Sequence, residues 1–193
     1  MILLKLTPMR ESRITDAFAV WITGLPASGK STIAAKLIAQ LEARGVDVAL
    51  LESDELRKIF TPHPRYDPEE RDMFYRQMVY VGVLLTQHGV PVVFDATANR
   101  RVYRDWAREQ ISKFVEVYVE CPLKTCMARD PKGIYRRARE GQAETVPGLQ
   151  TTYEAPEKPE VVLHGDRDAP EEAARRIVAK LADSDYLSSV IPA

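Results

Sequence analysis

The sequence predicts an α/β protein with a parallel five-stranded sheet flanked by helices. Five short apolar segments alternate with longer segments in which apolar residues recur at helical spacing. A chain that alternates in this way forms parallel strands joined by helical crossovers, and the helices cover the sheet. Polar residues follow several of the apolar segments, and in such folds a binding site lies at the carboxyl ends of the strands.

The composition is typical of a single-domain, soluble protein. The chain has 193 residues and a formal net charge of −1. A nearly neutral chain lacks the broad basic surface that nucleic acids or membranes bind, so we expect neither as a partner. Cys121 and Cys126 are predicted to be reduced core residues, because no Cys–His ligand set accompanies them. No apolar segment approaches the length of a membrane span, and we expect a cytoplasmic protein.

The order of the elements follows from the apolar periods and from the residues that start or stop each segment. Asp67 followed by Pro68 predicts the start of the longest helix, because they supply an N-cap and a proline at the first helical position. The expected strands are 17–22, 47–51, 90–94, 114–119 and 161–163. The expected helices are 33–41, 55–60, 68–89, 101–112, 122–129, 133–139 and 170–182.

The loop between the first strand and the first helix carries a phosphate-binding pattern, G-x-x-x-x-G-K-[ST]. Its glycines let successive backbone N–H groups face phosphate oxygens, and the positive end of the following helix points at the same anion. Lys30 can reach the β- and γ-phosphates, and the Ser31 hydroxyl can ligate Mg²⁺. The sequence therefore predicts a nucleoside triphosphate site. The loop residues are Gly24, Leu25, Pro26, Ala27, Ser28, Gly29, Lys30, Ser31 and Thr32.

Two acidic residues follow strands and are candidates for the same site. Asp54 lies beside the expected γ-phosphate, where a carboxylate can ligate Mg²⁺ and accept a proton from an acceptor hydroxyl. The alternative is that Asp54 only caps the helix at Glu55. Asp95 ends the third strand and is either a second acidic position near Mg²⁺ or an N-cap or turn residue.

Several arginines are candidates for binding an anionic acceptor. Arg57 follows Asp54 by about one helical turn and could grip an anion through two N–H groups. Arg71 and Arg76 lie on opposite sides of their helix, and we prefer Arg71 for the site. Of the three nearby arginines after the third strand we expect at least one to touch substrate, although a solvated helix face is the alternative. These three are Arg100, Arg101 and Arg104.

A basic segment precedes a long irregular loop in the second half of the chain. Residues 124–139 are densely basic, and residues 141–158 contain Pro147, Gly148 and Pro156. Such a pair suits a lid that closes over phosphates and excludes water. The alternative is a surface helix with incidental charge.

With these residues identified, the chain resembles the adenylylsulfate kinase family over residues 18–165. Residues 51–57 read L-E-S-D-E-L-R and are similar to the family's L-D-G-D-x-x-R element. Residues 129–139 read R-D-P-K-G-I-Y-R-R-A-R and closely follow the family's lid. Residues 153–160 read Y-E-A-P-E-K-P-E and match its Y-E-x-P-x-x-P-E segment. The last two motifs are much more specific than the phosphate-binding loop.

The resemblance implies a P-loop kinase fold that uses ATP and Mg²⁺ to phosphorylate the ribose 3′-hydroxyl of adenylylsulfate. It implies that Lys30 and Asp54 are catalytic, that Ser31 and Asp54 are associated with Mg²⁺, and that Arg129 lies near the ATP base. Homodimers are common in the family. The residues that would hold the acceptor nucleotide are Arg57, Arg71, Arg101 and Lys132.

The chain departs from the family on the acceptor side. The family's D-R-x-x-N-x-R-R has Phe74 in place of the asparagine and Gln77 in place of the last arginine. Ala98 replaces a serine that is sometimes proposed to carry phosphate, so no phosphoserine can form there. Val146 replaces an aromatic residue that packs on the acceptor's adenine, and residues 94–101 also resemble the D-A-T-x-x-x-R segment of polynucleotide-kinase-like enzymes.

The sequence therefore predicts a kinase domain at 17–182 with a lid at about 129–160. Residues 1–16 are expected to form an extension, and residues 183–193 a tail. The leading function is adenylylsulfate phosphorylation by direct in-line transfer. The alternatives are a kinase of the same fold with another nucleotide-like or sugar hydroxyl as acceptor, and a non-catalytic nucleotide-binding regulatory module.

Overall fold

The computed structural model describes residues 17–187. Five strands and seven helices alternate along this range, as the apolar periods predict. The strands are β1 Ala19–Thr23, β2 Ala49–Glu52, β3 Val92–Asp95, β4 Phe114–Glu120 and β5 Val161–His164. The helices are α1 Lys30–Glu42, α2 Ser53–Phe60, α3 Pro68–Gln87, α4 Arg101–Gln110, α5 Leu123–Arg129, α6 Ile134–Arg139 and α7 Pro170–Asp183.

The five strands form one parallel sheet in the order β2-β3-β1-β4-β5. In register, Ala19 at the start of β1 lies between Val92 of β3 and Phe114 of β4. The chain crosses from β1 to β2 at one edge and later passes to β4 on the other side of β1. A parallel sheet offers a ligand crevice at the point where its strand order reverses, and here that point is the carboxyl end of β1.

The residues of β1 alternate between the two faces of the sheet, and each face has its own apolar core. Val20 and Ile22 belong to the cluster that also contains Leu37 of α1 and Ile177 of α7. Trp21 packs on the opposite face with helices α3 and α4, and its ring stacks on Phe94 at a centroid distance of 4.5 Å. Trp21 is fully buried and belongs to the core. Burial on both faces fixes β1 as a rigid support for the loop that follows it.

The ends of several elements differ from the sequence prediction by one to three residues. Helix α1 begins at Lys30 rather than at residue 33, and α4 ends at Gln110 instead of continuing to residue 112. Apolar periodicity marks buried positions, whereas helix ends are set by local hydrogen bonds that leave little trace in the pattern.

After α7, the Leu187 side chain is buried in the α1–α7 core. The expected extension at 1–16 and the residues after 187 lie outside the described part.

A third, smaller apolar cluster lies beneath the segment from α5 to α6. It contains Cys121, Cys126, Tyr135, Ala138 and Val146. Both cysteines are buried and form no disulfide with each other, which confirms that they are core residues. No helix within residues 17–187 is long and apolar enough to cross a membrane.

Cys126 is expected to resist alkylation in the folded protein. Burial, together with a hydrogen bond involving Cys121, raises the pKa of the Cys126 thiol to about 12, and only the thiolate is a strong nucleophile. Mass spectrometry after iodoacetamide treatment at pH 8 should find Cys126 unmodified in the native protein and modified after denaturation. Equal labelling rates in the two states would contradict the burial of this thiol.

Candidate active site

The phosphate-binding loop connects β1 to α1 in a conformation that requires glycine. Gly24 has φ of 154° and Gly29 has φ of 105°. A Cβ atom on Gly24 would lie 2.5 Å from the carbonyl oxygen of Val119, so the loop can lie against β4 only without a side chain there. Gly29 is the N-cap of α1, and the free N–H groups at this helix end are available to an anion.

Lys30 places a cation inside this loop. It is the first residue of α1, and its ammonium group donates a hydrogen bond to the carbonyl oxygen of Leu25 at 2.9 Å. Burial lowers the pKa of Lys30, while the negative charges of Asp95 and Asp54 act in the opposite direction. A buried ammonium group with few ligands of its own is well placed to bind a polyphosphate.

Three carboxylates at or just after the carboxyl ends of β2 and β3 line the same cavity as the loop. They are Glu52, Asp54 and Asp95. Asp95 is the last residue of β3 and is 4% exposed. Asp54 lies in the first turn of α2, whose N-cap is Glu52. The alternative that Asp54 merely caps a helix at Glu55 is therefore wrong, since α2 already begins at Ser53. Asp95 does not cap α4 either, because the N-cap of that helix is Arg100.

The oxygen atoms at this edge suit Mg²⁺. The Ser31 hydroxyl, Asp54 and Asp95 all line the cavity, and hard oxygen donors are the ligands that Mg²⁺ prefers. Within residues 17–187 no group of three or more His, Cys, Asp or Glu side chains forms a complete metal cage.

The cavity has a volume of about 1240 Å³, which exceeds the usual range for a single small ligand. Its lining comes from the phosphate-binding loop, the ends of β2 and β3, the segment from 64 to 75, the lid and the β5–α7 connection. A cavity of this size and composition can hold two nucleotides at once.

The β5–α7 connection closes the cavity beside the phosphate-binding loop. The guanidinium group of Arg129 donates to the carbonyl oxygen of Gly165 at 2.8 Å. A Cβ on Gly165 would lie 2.0 Å from the carbonyl oxygen of Ser28, so this connection touches the loop directly. Arg129 therefore lines the cavity beside this connection, and its place near an ATP base stays a prediction.

The lid lies over the phosphate-binding loop and reaches the carboxylates across the cavity. The Tyr135 hydroxyl on α6 donates to the carbonyl oxygen of Pro26 at 3.0 Å. Lys132 donates to Asp54 Oδ2 at 2.5 Å and lies 3.5 Å from Glu52 Oε1. Burial lowers the pKa of Lys132, but its bonds to Asp54 and Glu52 outweigh that effect and the net pKa is raised.

Arg71 and Tyr66 form a second wall of the cavity, which meets the lid at Thr145. The guanidinium group of Arg71 donates to the carbonyl oxygen of Tyr66 at 2.9 Å and to that of Thr145 at 2.8 Å. It lies 5.5 Å from the centre of the Tyr66 ring, and burial lowers the pKa of Arg71. The preference for Arg71 over Arg76 agrees with this geometry, because the Arg76 guanidinium lies over the Trp106 ring at 4.0 Å.

The family model described as adenylylsulphate kinase matches residues 16–164. A probable adenylyl-sulfate kinase of Pyrococcus abyssi is 36% identical over 172 residues, which cover 89% of this chain and 99% of the relative. The chain belongs to the adenylylsulfate kinase family. The adenylyl-sulfate kinase of Microcystis aeruginosa is 38% identical over 172 residues, covering 89% of this chain and 95% of that protein.

Solved structures give the same assignment. The structure of the Mycobacterium tuberculosis APS kinase CysC in complex with AMPPNP and APS superposes with a TM-score of 0.81 at 30% identity. The match covers 86% of this chain and 98% of that chain. A sugar kinase from Janibacter sp. HTCC2649 superposes with a TM-score of 0.62 at 19% identity, covering 92% of this chain and 99% of that one. This more distant likeness shows the shared fold alone.

The departures from the adenylylsulfate kinase motifs have visible physical consequences. Phe74 is fully buried, and the Arg57 guanidinium lies 3.8 Å above its ring. Ala98 is also fully buried, and its N–H donates to the hydroxyl of Tyr75 at 3.0 Å. Val146 belongs to the small apolar cluster that also contains Tyr135, and it lines the cavity. Phe74, Gln77 and Ala98 do not line the cavity, so these substitutions act behind its wall.

Two of the arginines predicted to bind the acceptor differ in their placement. Arg57 lines the cavity but is largely buried, and it pairs with Glu70 at 3.3 Å. Arg101 lies outside the cavity lining, where it pairs with Glu157 and approaches Glu154.

None of the three arginines between 100 and 104 lines the cavity, contrary to the expectation that one would touch substrate. Arg100 pairs with Asp72 at 3.0 Å, and Arg104 is buried against Glu116 at 2.6 Å. The spacing of positive charges could not show this, because each acid partner lies at least twelve residues away in sequence.

Sequence reasoning missed Tyr66, Tyr75 and Thr145, which line the cavity beside Arg71. Tyr66 directly precedes the N-cap Asp67 and has φ of 59°. An aromatic residue just before a helix start, followed by an arginine in the first turn, is the signal that could have identified this wall.

Proposed function

We propose that this protein transfers the γ-phosphoryl group of ATP to the ribose 3′-hydroxyl of adenylylsulfate, which yields 3′-phosphoadenylylsulfate for sulfate assimilation. The observation that carries the proposal is a single cavity lined by both the phosphate-binding loop and the Arg71–Tyr66 wall, in a chain of this family. A cationic loop and a wall with a cation and an aromatic ring, facing one space, fit two nucleotides arranged so that the γ-phosphate of one meets the ribose hydroxyl of the other.

On the donor side, the phosphate-binding loop and Lys30 hold the β- and γ-phosphates. Phosphoryl transfer depends mostly on positioning and on stabilising charge at the oxygens of the transferred group. The N–H groups at the start of α1 and the buried ammonium of Lys30 supply that charge. Arg129 and the β5–α7 connection enclose the rest of ATP.

Mg²⁺ would be held by Ser31 and Asp54, with Asp95 beside them. When bound, the ion neutralises negative charge on the β- and γ-phosphates. The protein oxygens here are too few for a closed cage, so the ion and ATP are expected to bind together.

Asp54 is the group that accepts the proton from the acceptor hydroxyl. Its side chain is half exposed to the cavity and is bonded to Lys132 through Oδ2. A carboxylate has two acceptor oxygens, so Asp54 can hold Lys132 through one and take a proton through the other. Because residue 98 is alanine, a phosphoserine there is impossible, and transfer passes directly from ATP to the acceptor.

The acceptor nucleotide binds against Arg71, Tyr66 and the lid residue Lys132. Arg71 and Lys132 provide positive charge for the phosphosulfate, and the Tyr66 ring provides a flat surface for the base. Arg57 supports this wall from beneath, since it lies 4.9 Å from the centre of the Tyr66 ring. Arg101 can bind the acceptor only when its guanidinium group leaves Glu157 and pairs with the substrate instead.

Tyr66→Ala is expected to raise the KM for adenylylsulfate about 5- to 150-fold, since base–aromatic stacking contributes about 1–3 kcal/mol per base. The KM for ATP should change less than twofold, because Tyr66 lies on the wall formed with Arg71 and not on the phosphate-binding loop. Steady-state kinetics with each substrate varied in turn checks this prediction, and Tyr66→Phe is the matched control that keeps the ring. Equal KM values for Tyr66→Ala and the native protein would contradict the stacking role.

The function is tested with purified protein, Mg·ATP and adenylylsulfate, with adenosine 5′-phosphate, gluconate and shikimate as other acceptors. We expect turnover with adenylylsulfate far above ATP hydrolysis alone and above turnover with the other hydroxyls. Efficient phosphorylation of a sugar or of shikimate, with none of adenylylsulfate, would contradict the proposal. ATP binding without any transfer would instead indicate a non-catalytic module.

We further propose that the protein acts in the cytoplasm, where ATP and reduced thiols are available. We also propose a homodimer, which sedimentation at micromolar concentration would detect as twice the chain mass. The APS kinase of Thiobacillus denitrificans is described as hexameric; it superposes with a TM-score of 0.65 at 27% identity, covering 90% of this chain and 30% of that chain.

A further inference from the structure

Glu70 is a buried acid that does not itself line the cavity. It lies in the first turn of α3, and its side chain is only 7% exposed. The residues around it do line the cavity, among them Arg65, Tyr66 and Arg71. A buried carboxylate must be compensated by hydrogen bonds or cations, so its partners reveal what it holds.

The Glu70 carboxylate accepts hydrogen bonds from two different parts of the chain. It accepts from the backbone N–H groups of Arg65 at 2.6 Å and Tyr66 at 3.2 Å. It also accepts from Arg57 Nη1 on α2 at 3.3 Å. The Arg65 guanidinium approaches at 4.0 Å. One carboxylate therefore ties α2 and the segment before α3 together.

This pattern differs from an ordinary helix cap. Asp67 is the N-cap of α3 and accepts the N–H of Glu70 at 2.9 Å, which is half of a capping box. In a capping box the acid at this position would bond to the N-cap N–H. Glu70 instead reaches past Asp67 to the two preceding residues and to Arg57. These bonds hold the cavity wall in place, and the start of α3 does not require them.

Tyr66 is held on both sides of its backbone. Its N–H is bound by Glu70, and its carbonyl oxygen accepts from Arg71 Nε at 2.9 Å. The residue has φ of 59°, a conformation that non-glycine residues rarely adopt without local support. Glu70 and its neighbour Arg71 supply that support from two adjacent positions of α3.

Arg57 depends on the same acid. Its guanidinium lies over the rings of Phe74 at 3.8 Å and Tyr66 at 4.9 Å, and its charged partner is Glu70. Phe74 offers only a ring face in place of the family's asparagine, so Glu70 is the acid that directs the guanidinium, with a longer bond of 3.5 Å to the Thr61 hydroxyl beside it.

We propose that Glu70 is a positioning residue for the acceptor nucleotide, which sets Tyr66 and Arg57 in the geometry that binds adenylylsulfate. The inference rests on the proposed function and deepens it. Glu70 acts through its neighbours and touches no reacting atom. Its loss should therefore affect acceptor binding and leave ATP binding intact, because its partners belong to α2 and to the residues before α3.

The test is steady-state kinetics of Glu70→Gln with ATP and adenylylsulfate varied separately. Since a hydrogen bond to a charged group contributes about 1.5–3 kcal/mol, we expect the KM for adenylylsulfate to rise about tenfold or more. The KM for ATP should stay within about twofold. Glu69→Gln is the matched control, because its exposed side chain is in the same helical turn, and it should leave both constants unchanged.

A double substitution separates positioning from a general structural role. If Glu70 acts through Tyr66, then Glu70→Gln should have little further effect on the KM for adenylylsulfate in a Tyr66→Ala background. The inference would be overturned if the two substitutions raised the KM for adenylylsulfate independently, so that the double variant showed the product of the two single effects. It would also be overturned if Glu70→Gln raised the KM for ATP as much as the KM for adenylylsulfate. If Glu70→Gln does not fold, Glu70→Asp carries the test, with an expected rise of about threefold for adenylylsulfate only.

The two proposals fail in different ways. If the native protein turns over adenylylsulfate and Glu70→Gln leaves the ratio of the KM for adenylylsulfate to the KM for ATP unchanged, the positioning role alone is overturned. Native protein without adenylylsulfate turnover overturns the proposed function and the positioning role with it.

Discussion

Asp54→Asn is expected to reduce kcat for adenylylsulfate phosphorylation by about 10²- to 10⁴-fold, the usual contribution of a general base. Asparagine keeps the size of the side chain but cannot accept the hydroxyl proton, and it weakens the Mg²⁺ site. Because Asp54 is half exposed in the first turn of α2, its replacement should leave the fold intact. Kinetics with saturating ATP, together with calorimetric titration of ATP, separate loss of transfer from loss of binding.

The control for this substitution is Glu55→Gln. Glu55 is the next residue of α2, is exposed and pairs with Lys58 at 2.6 Å, and it does not line the cavity. It should retain native kcat. An Asp54→Asn variant with kcat close to native would show that another group accepts the proton, and Asp95 would then be the next carboxylate to replace.

Glu116→Ala is expected to lower the free energy of unfolding by about 3–5 kcal/mol, because it leaves a buried cation without its partner. Glu116 on β4 accepts from Arg104 Nε at 2.6 Å, and the side chains are 8% and 1% exposed. Arg104 would keep only carbonyl oxygens, such as that of Glu154 at 2.7 Å. Urea denaturation followed by circular dichroism measures the loss.

Lys36→Ala is the matched control for this effect. Lys36 pairs with Glu171 at 2.7 Å, but both side chains are about half exposed. Exposed pairs contribute about 0–1 kcal/mol, so this variant should unfold at nearly the native urea concentration. If Glu116→Ala were as stable as Lys36→Ala, the buried ion pair would not stabilise the packing of α4 on β4.

Most of the fold could be predicted from the sequence, because its strands are buried on both faces. Such strands appear as short, continuous apolar runs, and β1 is an example in which every residue is buried. The phosphate-binding loop was equally clear, since only glycine fits the approach of Gly24 to Val119. Periodicity and local sterics are properties of neighbouring residues, and a sequence displays them directly.

The irregular part of the lid was harder to predict, because long-range partners decide its structure. Residues 141–158 were expected to be irregular, and they contain no helix or named strand. Tyr153 nevertheless anchors this segment to the sheet: its hydroxyl lies 3.0 Å from that of Thr23, and its ring stacks on Tyr118 at 6.2 Å. The segment therefore packs against the carboxyl end of β1 and against β4.

The acceptor side of the site was the least predictable part, for the same physical reason. The charge on Arg101 was visible, but its pairing with Glu157 depends on how distant segments pack. Tyr66 carries no charge and lies outside every periodic segment, yet it lines the cavity. The donor half is set by one continuous loop, whereas the acceptor half is assembled from α2, α3 and the lid.

The position of the phosphate in the product tests the proposed reaction most directly. Native protein is incubated with Mg·ATP and adenylylsulfate, and the nucleotide product is examined by phosphorus and proton NMR. The expected product carries a new phosphate on the ribose 3′-hydroxyl, with the phosphosulfate intact. Unchanged adenylylsulfate, or a phosphate at any other position, would contradict the assignment of this protein as an adenylylsulfate 3′-kinase.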